Sequence, residues 1–406
     1  MESEYFMPLV INEIGSFEKF DQFKTLYLGK KILLVTGKTS YSQSGAQAIL
    51  NHVLKDEMTV RFHDFEVNPK IDDAIRGVSF ARENNIGLII AVGGGSVIDM
   101  AKLIKAFYAS PNDCYELAQG KRAVSDPGIP LIAIPTTAGS GSEATHFAVV
   151  NIGYDKYSLA SQLLLPDIAV LDGNLIDTCS PYQKACNGLD ALAQSIESAW
   201  AAGSTEQSRG YAFEAVELCV KNLKSVVGGG TNPLTLQGMS NAAYRAGNAI
   251  NISKTTAAHA WSYGITNHHG IPHGHAVWLT LPKIFKMHAT ADTEQVSDAR
   301  GLKHLQEIMH KLMKSLNIEV PEQADTILKN FMMSLGVPHN FTMIGAETEE
   351  QRAFLAKQAN MERMSNNPIS FTDRDIAEIF SLDKIYKALL CLRAQALMGL
   401  YDIVFK

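Results

Sequence analysis

Short apolar runs alternate with amphipathic segments through the first 180 residues of the chain. Four of these runs indicate strands, at residues 31–37, 59–67, 86–95 and 129–137. Between them, apolar residues recur at helical spacing over residues 45–55, 71–85 and 96–108. The run over 86–95 is apolar up to its three final glycines, which is typical of a strand covered on both faces. Alternating strands and helices predict an α/β fold with a parallel sheet.

The pattern changes near residue 180, where the strand-like runs give way to long segments of helical periodicity. Breaks that contain glycine or proline interrupt these segments at residues 228–230, 270–274 and 366–368. We therefore expect an α/β domain over residues 1–180 and an all-α domain over residues 181–406. The segment over 382–406 predicts one more helix, which carries no residues of obvious chemistry.

Charge and composition narrow the classes of function. The chain has 36 Lys and Arg against 42 Asp and Glu, for a formal net charge of −6. It lacks a basic stripe and an apolar run of membrane-spanning length, so we expect neither a nucleic-acid partner nor a membrane span. The N-terminus shows no signal-peptide pattern and the five cysteines form no CxxC pair, which predicts a cytoplasmic protein with reduced cysteines. A small molecule is the expected partner.

The third predicted strand ends in three glycines, Gly93, Gly94 and Gly95. Ser96 follows them and begins a predicted helix. Glycines at such a turn let the backbone approach a phosphate closely, and the helix N-terminus offers unpaired N–H groups. A second loop, over residues 135–143, adds glycines and hydroxyls after the next strand. A tight turn alone would also explain the glycines, but two such loops favour a dinucleotide site.

The end of the first predicted strand bears on the choice of nucleotide. A dinucleotide site commonly places an acid there, which binds the adenosine ribose 2′-OH and repels a 2′-phosphate. This chain has Gly37 at that place, followed by Lys38, so NADPH should be accepted as well as NADH. A simple turn role for Gly37 is the alternative.

A possible metal site lies in the helical half. Asp190 and Gln194 are four residues apart and so share one helical stripe, although a solvated polar face would give the same spacing. His259 falls in a helical segment, and His273 in the turn at residues 270–274. A carboxylate with two imidazoles suits Fe²⁺ or Zn²⁺ and leaves coordination room for a substrate.

These motifs resemble, in sequence order, the iron-containing (metal-dependent) alcohol dehydrogenases. The resemblance rests on GGGSVIDMAK, PTTAGSGSE and GLDAL and on the spacing of His259, Tyr263 and the Pro-His-Gly at 272–274, and it covers residues 8–382. It implies a Rossmann-like nucleotide-binding domain followed by a helical metal-binding domain, the fold shared with dehydroquinate synthase. It also implies a homo-oligomer, commonly a dimer.

The resemblance assigns roles to individual residues. It implies a pyrophosphate loop at residues 93–96, in a motif that Asp99 and Lys102 complete. It also implies nucleotide contacts from Thr136 and Thr137 and a ribose contact from Lys156. The implied metal ligands are Asp190, His259 and His273. Two departures stand out, since Gln194 and Tyr263 occupy positions where the family usually has histidine.

Several segments resemble one subgroup of the family, which interconverts phosphonoacetaldehyde and 2-hydroxyethylphosphonate. Gln194 and Tyr263 fit that subgroup, and the cation of Lys254 beside the hydroxyls over 253–256 would suit a dianionic phosphonate. We therefore expect reduction of phosphonoacetaldehyde by NADPH or NADH, assisted by Fe²⁺ or Zn²⁺. Tyr263 either carries a proton or has a structural role. The alternatives are another small aldehyde or diol as substrate, or a nucleotide-binding scaffold without catalysis.

Overall fold

The computed structural model describes residues 8–20, 24–153, 155–229 and 232–382. The helix predicted over 382–406 lies outside the described residues from position 383 on, and Cys391 lies there too. The other four cysteines are free thiols. Within the described ranges, no helix combines the length and the apolar character that a membrane span requires.

The described residues form eight strands, six of them in one sheet and two in a hairpin. The strands are β1 (Leu9–Asn12), β2 (Ile32–Thr36), β3 (Thr59–Phe62), β4 (Leu88–Gly93), β5 (Leu131–Pro135), β6 (Phe147–Ile152), β7 (Asp155–Ala160) and β8 (Ile168–Leu171). The sheet order is β1-β8-β5-β4-β2-β3, and all neighbouring pairs are parallel. The hairpin pairs β6 with β7 in antiparallel register.

The sheet is covered on both faces. Every residue of β2, β4, β5 and β8 is buried. Along β2, Leu33 and Val35 belong to one hydrophobic cluster, while Ile32 and Leu34 belong to another. Because successive side chains of a strand point to opposite faces, the two clusters lie on opposite sides of the sheet. This arrangement confirms the predicted α/β fold.

Helices connect the strands, and no strand lies among the described residues after position 180. They are α1 (Lys24–Tyr27), α2 (Ser40–Gln43), α3 (Ala46–Val53), α4 (Ile71–Glu83), α5 (Gly95–Tyr108), α6 (Cys114–Ala118), α7 (Pro181–Trp200), α8 (Glu206–Val227), α9 (Pro233–Ser253), α10 (Ala257–His269), α11 (His273–Trp278), α12 (Leu281–Ala289), α13 (Gly301–Ser315), α14 (Ala324–Ser334), α15 (Glu349–Ala356), α16 (Met361–Met364) and α17 (Asp373–Phe380). The predicted breaks hold, since Gly228 caps α8, and Gly270, in the left-handed region, caps α10. Residues 366–368 likewise lie between α16 and α17.

The chain forms two compact units, and the boundary between them does not lie at residue 180. The first unit runs to Ala199 and also contains Ser204–Lys254, and the second contains Trp200–Gly203 and the chain from Thr255 onward. Helices α8 and α9 and nearly all of α7 therefore group with the sheet. One contact within this unit joins the residues after β8 to α9: the Gly173 N–H donates to Gln237 Oε1 at 2.7 Å.

One contact between a loop and α9 depends on two glycines. Gly141 has φ +61°, and a Cβ there would lie 2.6 Å from the Gly247 Cα. Gly153 also has φ +61°, but no atom lies within 4 Å of its Cβ position. Both glycines thus have a backbone conformation that residues with a Cβ rarely adopt. Only at Gly141 would the Cβ also meet neighbouring atoms.

We expect Gly141→Ala to lower the free energy of unfolding by about 2–4 kcal/mol, because strain and overpacking add. Gly153→Ala, the matched control, should cost only about 1 kcal/mol, from strain alone. Urea unfolding of the two variants measures the difference. Equal losses would show that the contact with α9 relaxes freely.

Candidate functional site

The first glycine loop joins β4 to α5 at the carboxyl edge of the sheet. Helix α5 begins at Gly95, so the glycines lie at the N-terminus of a helix, as the sequence predicts. A Cβ on Gly95 would lie 2.7 Å from the Ser140 Oγ, and one on Gly94 would lie 3.2 Å from the Thr137 Oγ1. The loop at residues 135–143 therefore packs directly against these glycines, which leaves no room for side chains.

Thr136 and Thr137 follow β5, the neighbour of β4. The Thr136 N–H donates to the Gly93 carbonyl at 3.0 Å, which fixes the two loops side by side. The Thr136 side chain is buried, and its hydroxyl has no hydrogen-bond partner within the described part of the chain. An orphaned buried hydroxyl beside a glycine loop is what a nucleotide contact would satisfy.

Ser96 and Asp99 hold the loops by contacts within the protein. The Ser96 Oγ accepts from the Asn68 N–H at 3.2 Å. The Asp99 carboxylate accepts from the Ser142 hydroxyl at 2.5 Å and from the Val149 N–H at 3.1 Å. Asp99 thus links α5 to the second loop and to β6, and its predicted contact with the cofactor stays a prediction.

Lys102 is completely buried one turn beyond Asp99. Its ammonium donates to the Thr145 carbonyl at 2.8 Å, the Thr145 hydroxyl at 3.0 Å, the Phe147 carbonyl at 2.9 Å and the Ser142 hydroxyl at 3.3 Å. Burial lowers the pKa of Lys102 to about 8. Four oxygens around one ammonium fix α5 to the second loop and to the segment that follows it.

Lys156, the predicted ribose contact, lies on β7 opposite Asn151. Burial raises the pKa of the Asp99 carboxyl, and the charge of Lys156 is among the influences that lower it. The predicted ribose contact of Lys156 stays a prediction. Gly37 and Lys38 follow β2, and the exposed Lys38 pairs with Asp64 at 3.5 Å.

Helix α7 carries Asp190 and Gln194, and both are buried, which excludes the solvated face that the spacing left open. The Gln194 Nε2 donates weakly to the Ser140 carbonyl at 3.4 Å. The Gln194 Oε1 is buried and has no hydrogen-bond partner among the described residues. An amide oxygen in that position can serve as a ligand to a cation.

Helices α10 and α11 carry the two histidines. Their rings meet edge to face with centroids 5.3 Å apart. The Tyr263 ring stacks on the His273 ring, with centroids 5.8 Å apart and planes within 13°. His273 begins α11 instead of lying in a loop, because Pro272 caps that helix.

Ser262, which the sequence analysis missed, orients one of these rings. Its hydroxyl donates to the His259 carbonyl at 2.8 Å and lies 3.4 Å from the His273 Nδ1. With its proton directed to the carbonyl, Ser262 can only accept from His273, which favours the Nδ1–H tautomer and leaves the Nε2 lone pair for a metal. A serine three residues after the first histidine was the available sequence signal.

The ligand atoms that Asp190, His259 and His273 offer all lie within 4.8 Å of one another. One carboxylate and two imidazoles form a nitrogen and oxygen set that suits Fe²⁺ or Zn²⁺. Gln194, the fourth residue considered for this site, lies one turn from Asp190 with its amide oxygen buried, and its role as a ligand stays a prediction. The residues therefore fit a divalent metal, and imidazole in place of this amide would bind it more tightly.

Comparison with known proteins decides the family. The sequence model for iron-containing alcohol dehydrogenase matches residues 9–173, and the model for the C-terminal part of that family matches residues 184–383. The chain belongs to the iron-containing alcohol dehydrogenase family. It is therefore an oxidoreductase that acts on a small molecule, and the expected cofactors, a nicotinamide nucleotide and a divalent metal, are confirmed.

Relatives within this family differ in substrate. The chain is 29% identical to the phosphonoacetaldehyde reductase of Streptomyces viridochromogenes over 76% of its own length and 79% of that protein. It is 28% identical to the 1,3-propanediol dehydrogenase of Klebsiella pneumoniae, over 87% of this chain and 91% of that one.

Solved structures of the family share the fold. The crystal structure of sulfoacetaldehyde reductase from Bifidobacterium kashiwanohense in complex with NAD⁺ superposes with a TM-score of 0.78 at 26% identity. The match covers 94% of this chain and 98% of that one.

The network around Lys102 includes a second buried ionisable group. Burial raises the pKa of Glu143 from 4.5 to about 7, so the folded protein holds a proton there that the unfolded chain has lost. The free energy of unfolding should therefore decrease as the pH rises from about 4.5 to about 7, by a few kcal/mol at most.

Glu143→Gln cannot titrate and should show a flatter dependence over that range. Urea unfolding at pH 5 and pH 7.5 compares the variant with the parent protein. An unchanged slope would mean that Glu143 titrates normally in the fold.

Proposed function

We propose that the protein reduces phosphonoacetaldehyde to 2-hydroxyethylphosphonate with NADPH or NADH. The observation that carries this proposal is the backbone of Lys254, the residue that follows α9. It has φ +60° and ψ −176°, a region that only glycine occupies readily. Such a conformation typically costs about 1–3 kcal/mol, and proteins retain it mainly where function requires the side chain.

The surroundings of Lys254 suit an anionic substrate. The side chain is exposed, whereas the residues on either side of it, Ser253 and Thr255, are buried. The strained backbone thus projects a cation from an otherwise buried segment that opens α10, the helix bearing His259. A phosphonate adds two negative charges to a small aldehyde, and a lysine at the entry to the histidine helix would select for them.

Similarity to two reductases supports the same chemistry. Phosphonoacetaldehyde and sulfoacetaldehyde, the substrates in their names, are both two-carbon aldehydes with a strong acid group. The 1,3-propanediol dehydrogenase has nearly the same identity to this chain, so a short diol or another small aldehyde is the second candidate.

Asp190, His259 and His273 would hold the metal, and Gln194 would complete the set. When bound, a divalent metal supplies Lewis-acid polarisation of the substrate carbonyl. Ser262 keeps the His273 ring in one tautomer, and Tyr263 packs on its face. We assign Tyr263 the positioning of His273, since the two rings stack on each other. Assembly into a dimer in the cytoplasm stays a prediction.

We expect kcat/KM for phosphonoacetaldehyde to exceed that for propanal about 100-fold, or roughly 2.7 kcal/mol of discrimination. Lys254→Ala should remove most of this preference and leave propanal reduction nearly unchanged. Lys221→Ala, which removes an exposed lysine from α8, is the control. Comparable rates for both aldehydes in the parent protein would rule out the phosphonate and leave the dehydrogenase.

Lys254→Gly separates strain from charge. Glycine adopts the observed φ and ψ without penalty, so this variant should gain about 1 kcal/mol or more in the free energy of unfolding while it loses the phosphonate preference. Urea unfolding and the two-aldehyde assay measure the two effects. A loss of stability would mean that Lys254 supports the fold through its side chain.

Metal content tests the ligand set directly. After anaerobic purification, His259→Ala should retain at least 10-fold less Fe or Zn than the parent protein and should lose aldehyde reduction, because one of three strong ligands is gone. Gln194→His should bind Zn²⁺ more tightly, since imidazole is a better donor than an amide oxygen.

His268→Ala is the matched control for the metal experiment, because its exposed ring packs on Phe354 and lies outside the donor set. Unchanged metal content in His259→Ala would exclude His259 as a ligand.

A further inference from the structure

The carboxyl ends of β2 and β4 form the switch point of the sheet. From β2 the chain passes to β3 on one side, and from β4 it passes to β5 on the other. Dinucleotides bind at such a point in open α/β sheets. Gly37 follows β2 and the loop at residues 93–96 follows β4, so the adenosine end of a nucleotide belongs beside β2 and β3.

Arg61, on β3, reaches over the end of β2. Its Nε donates to the Thr36 hydroxyl at 2.7 Å, and its Nη2 donates to the Gly37 carbonyl at 3.0 Å and more weakly to the Lys38 carbonyl at 3.4 Å. The guanidinium also lies over the Tyr41 ring, 4.8 Å from its centroid. These contacts fix the guanidinium plane and use three of its five N–H groups.

The charge of Arg61 has no carboxylate partner among the described residues. Other charged groups nearby are paired: Lys38 with Asp64 at 3.5 Å, and Arg76 with Asp73 at 2.7 Å. The partners of Arg61 are a hydroxyl, two carbonyls and an aromatic ring, and the residue is partly buried. A partly buried guanidinium normally faces an anion, so an anionic ligand would complete the site.

We propose that Arg61 binds the 2′-phosphate of NADPH and gives the protein its preference for that nucleotide. Both N–H groups of Nη1 remain for phosphate oxygens, and a guanidinium fork matches phosphate geometry. Gly37 supplies no carboxylate to repel the phosphate, and the hydroxyl of Ser40 lies beside it. The proposal rests on the nicotinamide-nucleotide function and is independent of the aldehyde.

Arg61→Ala tests the proposal without any aldehyde or metal. Titration calorimetry with adenosine 2′,5′-bisphosphate and with adenosine 5′-monophosphate compares binding with and without the 2′-phosphate. We expect the parent protein to prefer the bisphosphate. In Arg61→Ala the bisphosphate should bind about 10- to 100-fold more weakly, while the monophosphate should change by less than about 3-fold.

Two further variants complete the experiment. Arg61→Lys keeps the charge but loses the planar fork, so it should restore only part of the affinity. Arg76→Ala removes a neighbouring arginine that is already paired with acids, and it should leave both affinities unchanged. Equal weakening of both ligands in Arg61→Ala would show that Arg61 only supports the loop, and an unchanged bisphosphate affinity would equally overturn the proposal. Failure of the phosphonate assay would affect neither result.

Discussion

One buried ammonium organises the nucleotide-binding half of the molecule. Lys102 lies on α5, the helix whose first turn contains the last glycine of the first loop. Its four oxygen partners belong to Ser142 in the second loop and to Thr145 and Phe147, which follow that loop. The buried Lys102 ammonium has no access to water and must keep these hydrogen-bond partners, because an unpaired charge in the interior would strongly destabilise the folded protein. The spacing between the two loops therefore depends on Lys102, and Asp99 extends the same network to β6.

Much of the fold could be predicted from the sequence because its signals are local. The uninterrupted apolar runs of β2, β4 and β5 are fully buried strands, and the helical stripe with Asp190 and Gln194 is a helix. The edge strand β1 was not predicted, since four residues of mixed exposure give too short a pattern. The compact unit that α8 and α9 form with the sheet has no local sequence signal, because it depends on contacts between distant parts of the chain, such as that between Gly141 and Gly247.

In the candidate site, too, the residues with a local sequence signal could be predicted, and those that depend on tertiary contacts could not. Residue types and spacing pointed to Asp190, His259 and His273, and their ligand atoms do come together. The contacts of Arg61 and Ser262 were missed because they exist only after the chain has folded. The burial of the polar stripe that carries Asp190 and Gln194, and the positive φ of Lys254, likewise depend on packing and not on local propensity.

Gly141 and Gly247 crowd each other reciprocally. A Cβ on Gly141 would lie 2.6 Å from the Gly247 Cα, and a Cβ on Gly247 would lie 2.5 Å from the Gly141 carbonyl oxygen. Neither glycine can be replaced first without a clash, and replacing both makes the clash worse. Proteins that diverge from this chain should therefore keep both glycines together, even where other residues of the loop and of α9 change.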